Sequence, residues 1–484
     1  MSDNNEKRNI VLYVSHIKKY FDISSGLKKS KGKVRALDDV TFSLYEGETI
    51  GVVGETGCGK TTLGRSLLRL IEPTAGDVYV NLPQEIMNSI INLEQRLNEI
   101  VDQDNVSKED KNEQIKEVLK ELGPLRKKYS LTKIHKREMK EYRKLMQPVF
   151  QDPYSSLDPR MLVKDIIAEP MKLLTKMSSQ EIFKRTLDII QEIGLSEDHL
   201  YRFPHEFSGG QRQRIGIARS LVIDPKVLVL DEPTSALDVS VQAQILNLMR
   251  SIQQERNISF IFISHHLSVI RMMADKVAVM YLGKAVEIAE TNALFTKMLH
   301  PYTRALLSAI PVPDPKTKIN RIILEGEIPS PSNPPNGCHF HPRCPVAMKN
   351  CGWSAQDLAQ PIREMLDPFR NPESESFPRI IRIVTDNDEN KIEIDFEDIL
   401  SEPQESVRAI NNLIQKESRL KGGIKFLAID KVEAISADKI VITFIKYDVP
   451  KLKEVSKGHF VSCLIYEDTG QVKRDEVPNA EILA

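Results

Sequence analysis

Apolar and polar positions change period repeatedly along this chain, and each change predicts an element. Ile10, Leu12 and Val14 alternate as the inward face of a strand. The lysine-rich stretch from Gly26 to Lys33 has no apolar face and predicts a solvated turn. Thr49, Ile50, Val52 and Val53 form a short apolar strand, and Lys60 to Leu70 reads as the helix after it. Pro73-Thr-Ala-Gly76 predicts a turn into a strand over Asp77 to Val80. Ile86, Ile90, Leu93, Leu97 and Ile100 then recur at alternating spacings of four and three, the seam of an amphipathic helix that wants a partner. A second helix is predicted from Ser107, its N-cap with Asp110 at N3, to Leu122, where Gly123-Pro124 stops it. An antiparallel helical hairpin is the expectation, with a partner-binding arm as the alternative, and a basic helix near His135 to Met146 follows.

Further on, Pro148 to Phe150 predicts a strand, and Leu162 to Leu173 and Ser179 to Ile193 predict helices. Lys226 to Asp231 (KVLVLD) and Ser259 to Ser264 are near-continuous apolar runs, as in strands buried on both faces of a parallel sheet. From about 357 to 457 the pattern is that of a separate small α+β unit. Arg379 to Val384 and Lys391 to Phe396 alternate as strands, Pro403 to Ser418 is helical, and Ile424 to Leu427 and Lys439 to Ile445 are strands again.

A chain of 484 residues exceeds one ordinary domain, so two or three are expected. A net charge of −1 argues against nucleic acid as a partner. No window offers about 18 uncharged apolar residues, and the N-terminus has no signal-peptide pattern. The expectation is a protein that is cytosolic or held at a membrane by partners. The five cysteines are Cys58, Cys338, Cys344, Cys351 and Cys463, and in a reducing compartment the late group suggests metal rather than disulfides.

The chemistry centres on Val52 to Thr62, VVGETGCGKTT, a strand, a glycine loop and a helix in succession. Gly54-Glu55-Thr56-Gly57-Cys58-Gly59-Lys60-Thr61 has the phosphate-loop spacing. Its glycines let the backbone close on an anion so that N–H groups ring the β-phosphate, and the helix N-terminus adds partial positive charge. Lys60 is placed to reach the β- and γ-phosphates, and the Thr61 hydroxyl to sit on Mg²⁺. Asp231 and Glu232 close a buried strand; beside a phosphate loop Asp231 would hold the Mg²⁺ shell and Glu232 would polarise the attacking water. Three further features are weaker alone. Gln151 ends a strand and can ligate Mg²⁺, Ser208-Gly209-Gly210-Gln211 is either an anion cradle or a helix-start turn, and His265 ends a strand on the ligand side of an α/β sheet. Tyr20 is either a core tyrosine or a platform for adenine.

Taken in order, Tyr20, Gly54 to Thr62, Gln151, FSGGQ at 207–211, LVLDEP at 228–233, SALD at 235–238 and His265 resemble the motif set of ABC transporter ATPases. The resemblance implies an α/β P-loop NTPase (RecA-like) domain with a helical subdomain, plus a cysteine-containing C-terminal extension. The implied layout is an ATPase domain over 8–310, carrying a largely helical insertion at 82–146 and the signature subdomain at 151–225, and an extension over 311–484. It makes Tyr20 the adenine platform and adds Thr62 and Asp238 to the nucleotide site. Ser208 to Gln211 then serve a nucleotide on a partner's phosphate loop, Gln151 senses the γ-phosphate, and His265 steadies the transition state. His266 stands where the family usually has an acid.

Gln151-Asp-Pro-Tyr-Ser-Ser-Leu-Asp-Pro, His300-Pro-Tyr-Thr-Arg-Ala-Leu and Gly326-Glu-Ile-Pro-Ser-Pro running on to Cys338-His-Phe-His-Pro-Arg-Cys344-Pro are similar to the dipeptide and oligopeptide importer branch. Nickel or oligosaccharide uptake, or a soluble ABC ATPase, are the alternative functions. The branch implies ATP and Mg²⁺, a second ATPase subunit in a homo- or heterodimer, two membrane permease subunits, an extracytoplasmic binding protein, and a peripheral place on the cytoplasmic face of the membrane. It also implies a 4Fe-4S cluster on Cys338, Cys344, Cys351 and Cys463, although by ligand type thiolates suit zinc equally and His339 and His341 leave a mixed site open. The chain departs from the branch in the long gap between Cys351 and Cys463.

Overall fold

A parallel sheet needs both faces covered, so its strands must be apolar at every position. The computed structural model describes residues 8–25, 28–103, 106–135, 137–152, 154–309, 321–367, 369–371, 377–386, 390–398, 403–420, 423–436 and 438–466. The chain divides into two compact units, Met1–Asn292 and Ala293–Ala484, a division ahead of the 310/311 boundary drawn from the motifs.

In chain order the first unit runs β1 (Ile10–Ser25), β2 (Lys28–Tyr45), β3 (Thr49–Val53), α1 (Lys60–Leu67), β4 (Ala75–Val80), α2 (Gln84–Asp102), α3 (Lys108–Tyr129), α4 (Met139–Leu145), β5 (Met146–Val149), α5 (Val163–Leu174), α6 (Ser179–Glu192), α7 (Gly209–Leu221), β6 (Val227–Asp231), α8 (Val239–Arg256), β7 (Ser259–Ile263), α9 (Leu267–Met273), β8 (Lys276–Tyr281) and β9 (Lys284–Glu290). Within this unit the main sheet has the order β9-β8-β3-β7-β6-β5. The β8–β3, β3–β7, β7–β6 and β6–β5 pairs are parallel, and β8–β9 is antiparallel. Every residue of β3, β6 and β7 is buried. The neighbours β3, β7, β6 and β5 therefore deliver the phosphate loop, His265, Asp231-Glu232 and Gln151 side by side at their carboxyl ends, where open α/β sheets bind ligands.

A second sheet, β2-β1-β4, is antiparallel. Lys28 to Lys33 belong to β2 and pair back toward Ser25, Ser24 and Asp22, which corrects the solvated turn expected there; Gly26 and Leu27 lie outside the described residues. Cross-strand hydrogen bonds overrode a stretch that has no hydrophobic pattern of its own.

The 82–146 segment supplies α2 and α3, which pack on this sheet. Met87, Ile90 and Leu122 join Tyr13 and Tyr79 in one apolar cluster. Ser107 caps α3 by accepting from the Asp110 N–H at 3.1 Å. The helix does not stop at Gly123-Pro124 but continues to Tyr129 with Pro124 inside it. The carboxyl-terminal turn is worth keeping because Arg126 pairs with Asp77 (3.2 Å) and with Glu94 (3.2 Å), both buried carboxylates. Glu94 lies among the apolar positions of α2, and it also accepts from Tyr13 Oη (3.1 Å), Tyr79 Oη (3.4 Å) and the Ser15 hydroxyl.

In the second unit β10 (Ile380–Asp386), β11 (Lys391–Phe396), β12 (Ile429–Ser436) and β13 (Lys439–Phe444) form an antiparallel sheet of order β10-β11-β13-β12. Ile392, Ile394, Ile440 and Ile442 point to a core shared with Leu358 and Ile362 of the helix Ala355–Met365 and Ile410 and Leu413 of the helix Pro403–Glu417. The strand expected over Ile424 to Leu427 is instead a 3-10 turn, Gly423–Ala428, and the strand begins at Ile429. Apolar residues pack equally well from a turn, so their density alone misplaced the boundary. A short hairpin, β14 (Lys453–Ser456) and β15 (His459–Val461), follows.

Candidate active site

The phosphate loop is built by backbone that only glycine tolerates. Gly54 and Gly59 have φ of 151° and 106°; a Cβ on Gly54 would lie 2.2 Å from the Met280 carbonyl oxygen, and on Gly59 2.3 Å from that of Ala36. The Lys60 ammonium is buried at the mouth of the loop and donates to the carbonyls of Gly54 (2.8 Å) and Glu55 (3.0 Å). Burial pushes the Cys58 thiol up, against the pull of Lys60, so this cysteine is a packing residue.

Thr61 Oγ1 donates to Asp231 Oδ1 at 3.1 Å, which brings two residues expected at Mg²⁺ into contact. Burial raises the Asp231 carboxyl above its usual range, opposed by Thr61 and Arg65. The next residue, Glu232, is held in the left-handed region at φ 48°, a conformation that costs energy in a non-glycine residue and clusters at working sites. Its carboxylate is gripped on both oxygens: Gln151 Nε2 donates to Oε2 at 3.0 Å, and His265 Nδ1 meets Oε1 at 2.9 Å. The three residues that close β5, β6 and β7 therefore converge on one carboxylate beside the Thr61–Asp231 pair.

Tyr20 is half-buried, and its hydroxyl donates to Asp38. Burial and then that bond push the phenol up to about 12. Asp38 N–H donates to the Gly283 carbonyl at 2.8 Å, and Gly283 N–H to the Cys58 carbonyl at 2.9 Å. Tyr20 is thus tied to the phosphate loop through two residues that carry no motif. Ser208 is exposed at the start of α7, in a capping box with Gln211: the Gln211 N–H donates to Ser208 Oγ at 3.4 Å and the Ser208 N–H to Gln211 Oε1 at 3.0 Å. Gly209 and Gly210 open the helix. Asp238 is exposed at the start of α8. The ring of Tyr154, which follows Gln151, lies 4.0 Å from the Arg212 guanidinium on α7, a link with no signal in the sequence.

The ABC transporter family model matches residues 37–130 and 126–235, and the model described as "Oligopeptide/dipeptide transporter, C-terminal region" matches 286–351. The putative oligopeptide transport ATP-binding protein YkfD of Bacillus subtilis is 43% identical, with 72% of this chain and 92% of that protein covered. The oligopeptide transport ATP-binding protein OppF of Salmonella typhimurium is 41% identical, over 74% of this chain and 95% of its own. The dipeptide transport ATP-binding protein DppF of Haemophilus influenzae is 43% identical, over 71% and 91%. The chain belongs to the oligopeptide/dipeptide ABC transporter ATP-binding subunits. It is an ABC ATPase with the P-loop fold.

The cysteines of this ABC subunit's second unit come together. Cys351 and Cys463 are buried in one apolar cluster with Val346, Met348, Val461 and Tyr466, and Cys338 and Cys344 pack against it. Burial drives the Cys344 thiol well above its usual range, with Cys463, Cys338 and Cys351 adding to the shift. Cys351 is pushed up to about 12 by burial and then by Cys338. Among the described residues no set of three or more His, Cys, Asp or Glu is arranged to hold a metal ion. The thiols are gathered without being closed into a metal site. His341 is buried on the Cys338 carbonyl at 2.8 Å and edge-on to Trp353.

Proposed function

We propose that this subunit hydrolyses ATP at the face of a second ATPase subunit, its own copy or another chain, and so drives two permease subunits through alternating access. The observation that carries the reading is the Glu232 carboxylate, gripped by Gln151 and His265 one residue past the Thr61–Asp231 pair. Lys60 and the loop N–H groups neutralise the phosphates, and Thr61, Asp231 and Gln151 would hold Mg²⁺ through oxygen, an ion that would supply positive charge against the phosphates. Glu232 takes the proton of the attacking water, and Gln151 and His265 keep its carboxylate aimed. Tyr20 offers its ring to adenine. The exposed Ser208 and the N-terminus of α7 meet the phosphates on the partner subunit.

The family relationship supports peptides as cargo, handed over by an extracytoplasmic binding protein; nickel, oligosaccharide and soluble ABC ATPase functions are not favoured. Among the described residues no helix is long and apolar enough to cross a membrane, and a peripheral position on the cytoplasmic face fits that. Solubilising native membranes and purifying the tagged subunit is expected to bring down two permeases and a peptide-binding protein. Recovery of ribosomes instead would remove the transporter reading, and a nickel- or sugar-binding protein would change the cargo.

We further propose that Cys338, Cys344, Cys351 and Cys463 hold a 4Fe-4S cluster. Two buried and two half-buried thiols, among which Cys463, Cys338 and Cys351 raise the proton affinity of Cys344 and Cys338 that of Cys351, are a donor set that a cation would deprotonate and draw closed. Protein purified without oxygen is expected to be brown and to carry about four iron atoms per chain. Colourless protein with stoichiometric zinc would replace the cluster by zinc, and metal-free thiols would end the proposal.

A further inference from the structure

The hydrolytic residues leave one side chain at the site without a role. His266 follows His265 at the end of β7, its ring centroid 4.0 Å from that of His265 and tilted by 43°. Its backbone N–H donates to Ser264 Oγ at 3.0 Å, and the Ser264 N–H donates to the Val52 carbonyl at 3.2 Å. The pair is thereby anchored on the strand that leads into the phosphate loop.

His265 is tied to Glu232 at one atom, Nδ1, and is otherwise exposed. A ring held at a single atom, with the broad two-fold χ2 of an imidazole, pivots about its Cβ–Cγ bond unless something flat lies against it. We propose that His266 is a positioning residue for hydrolysis: its imidazole is the packing face that keeps the His265 ring on Glu232. Partial burial and then the neighbouring His265 hold the His266 imidazole below the usual histidine range, against the pull of Glu232. At neutral pH His266 is therefore an uncharged aromatic face, as this packing role requires. His265 from its own strand end and Glu232 from the end of β6 are the charged or titratable groups that act on it. In acid, protonation of His266 sets a cation against His265 and loosens the contact.

The proposal rests on the reading of Glu232 and His265 as hydrolytic residues, so it is tested beside Glu232→Gln. In the full-length subunit, His266→Ala is expected to lower kcat for ATP roughly three- to tenfold with KM changed less than about twofold. His266→Phe, which keeps a flat ring, is expected to retain kcat near pH 8 and to lose part of the acid limb of the wild-type pH–rate profile. Wild-type kcat in His266→Ala overturns the proposal, as does a Phe variant as impaired as the Ala variant, or a Phe profile superimposed on the wild type at low pH. A thermal melt of each variant separates lost positioning from lost folding. If Glu232→Gln itself keeps full turnover, the hydrolytic reading fails; if Glu232→Gln is inactive and His266→Ala is normal, only the role of His266 fails.

Discussion

Glu232→Gln is expected to lower ATP turnover at least a hundredfold, the scale of a lost general base, while nucleotide binding survives. The side chain sits where water meets the phosphates in a P-loop site, and its two oxygens are already committed to Gln151 and His265. Glutamine has the same shape and can still accept from Gln151, but its NH₂ faces His265 Nδ1 and it cannot take a proton. The loop, Lys60 and the Thr61–Asp231 contact are untouched, so affinity should hold. Phosphate release measured with fluorescent-nucleotide binding on one preparation decides the matter. Undiminished release would take Glu232 out of the mechanism.

Arg126→Met is expected to destabilise the first unit by about 3–5 kcal/mol, as happens when one partner of a buried ion pair is removed. Asp77 and Glu94 are 5% and 1% exposed. Without the guanidinium, two buried carboxylates lose their common cation, and the end of α3 loses its hold on the sheet. Urea unfolding of the single variant and of Arg126→Met with Glu94→Gln measures this. The double change should recover part of the loss, because it removes one stranded charge, although Asp77 remains. A loss under about 1 kcal/mol would mean that the cluster behaves as a solvated surface pair.

The motor was legible because its chemistry demands particular residue types at fixed spacing and its strands demand unbroken apolar runs. β3, β6 and β7 lie where such runs placed them, and the residues just past their ends meet at Glu232. What escaped is what depends on partners distant in sequence. Pro124 reads as a stop until Arg126 is seen to have two carboxylates waiting beyond it. Glu94 is a polar residue among apolar ones, and its partners Tyr13, Ser15, Tyr79 and Arg126 explain why it is buried. Asp38 and Gly283 connect Tyr20 to the phosphate loop without belonging to any pattern.

The sheet that lies in the chain between Cys351 and Cys463 also changes how the cysteines come together. Cys351 and Cys463 are 112 positions apart in the chain, and a slack tether of that length costs about 4 kcal/mol to close. The folded unit holds its own ends together: Asn350 Nδ2 donates to Asp448 Oδ2 at 2.7 Å, and the Asp448 N–H donates to the Asn350 carbonyl at 3.1 Å. Assembly of the thiols is thus coupled to a folding equilibrium elsewhere. Truncating Ile394 or Ile442, deep in that unit's core and on strands that carry no cysteine, would scatter the four thiols.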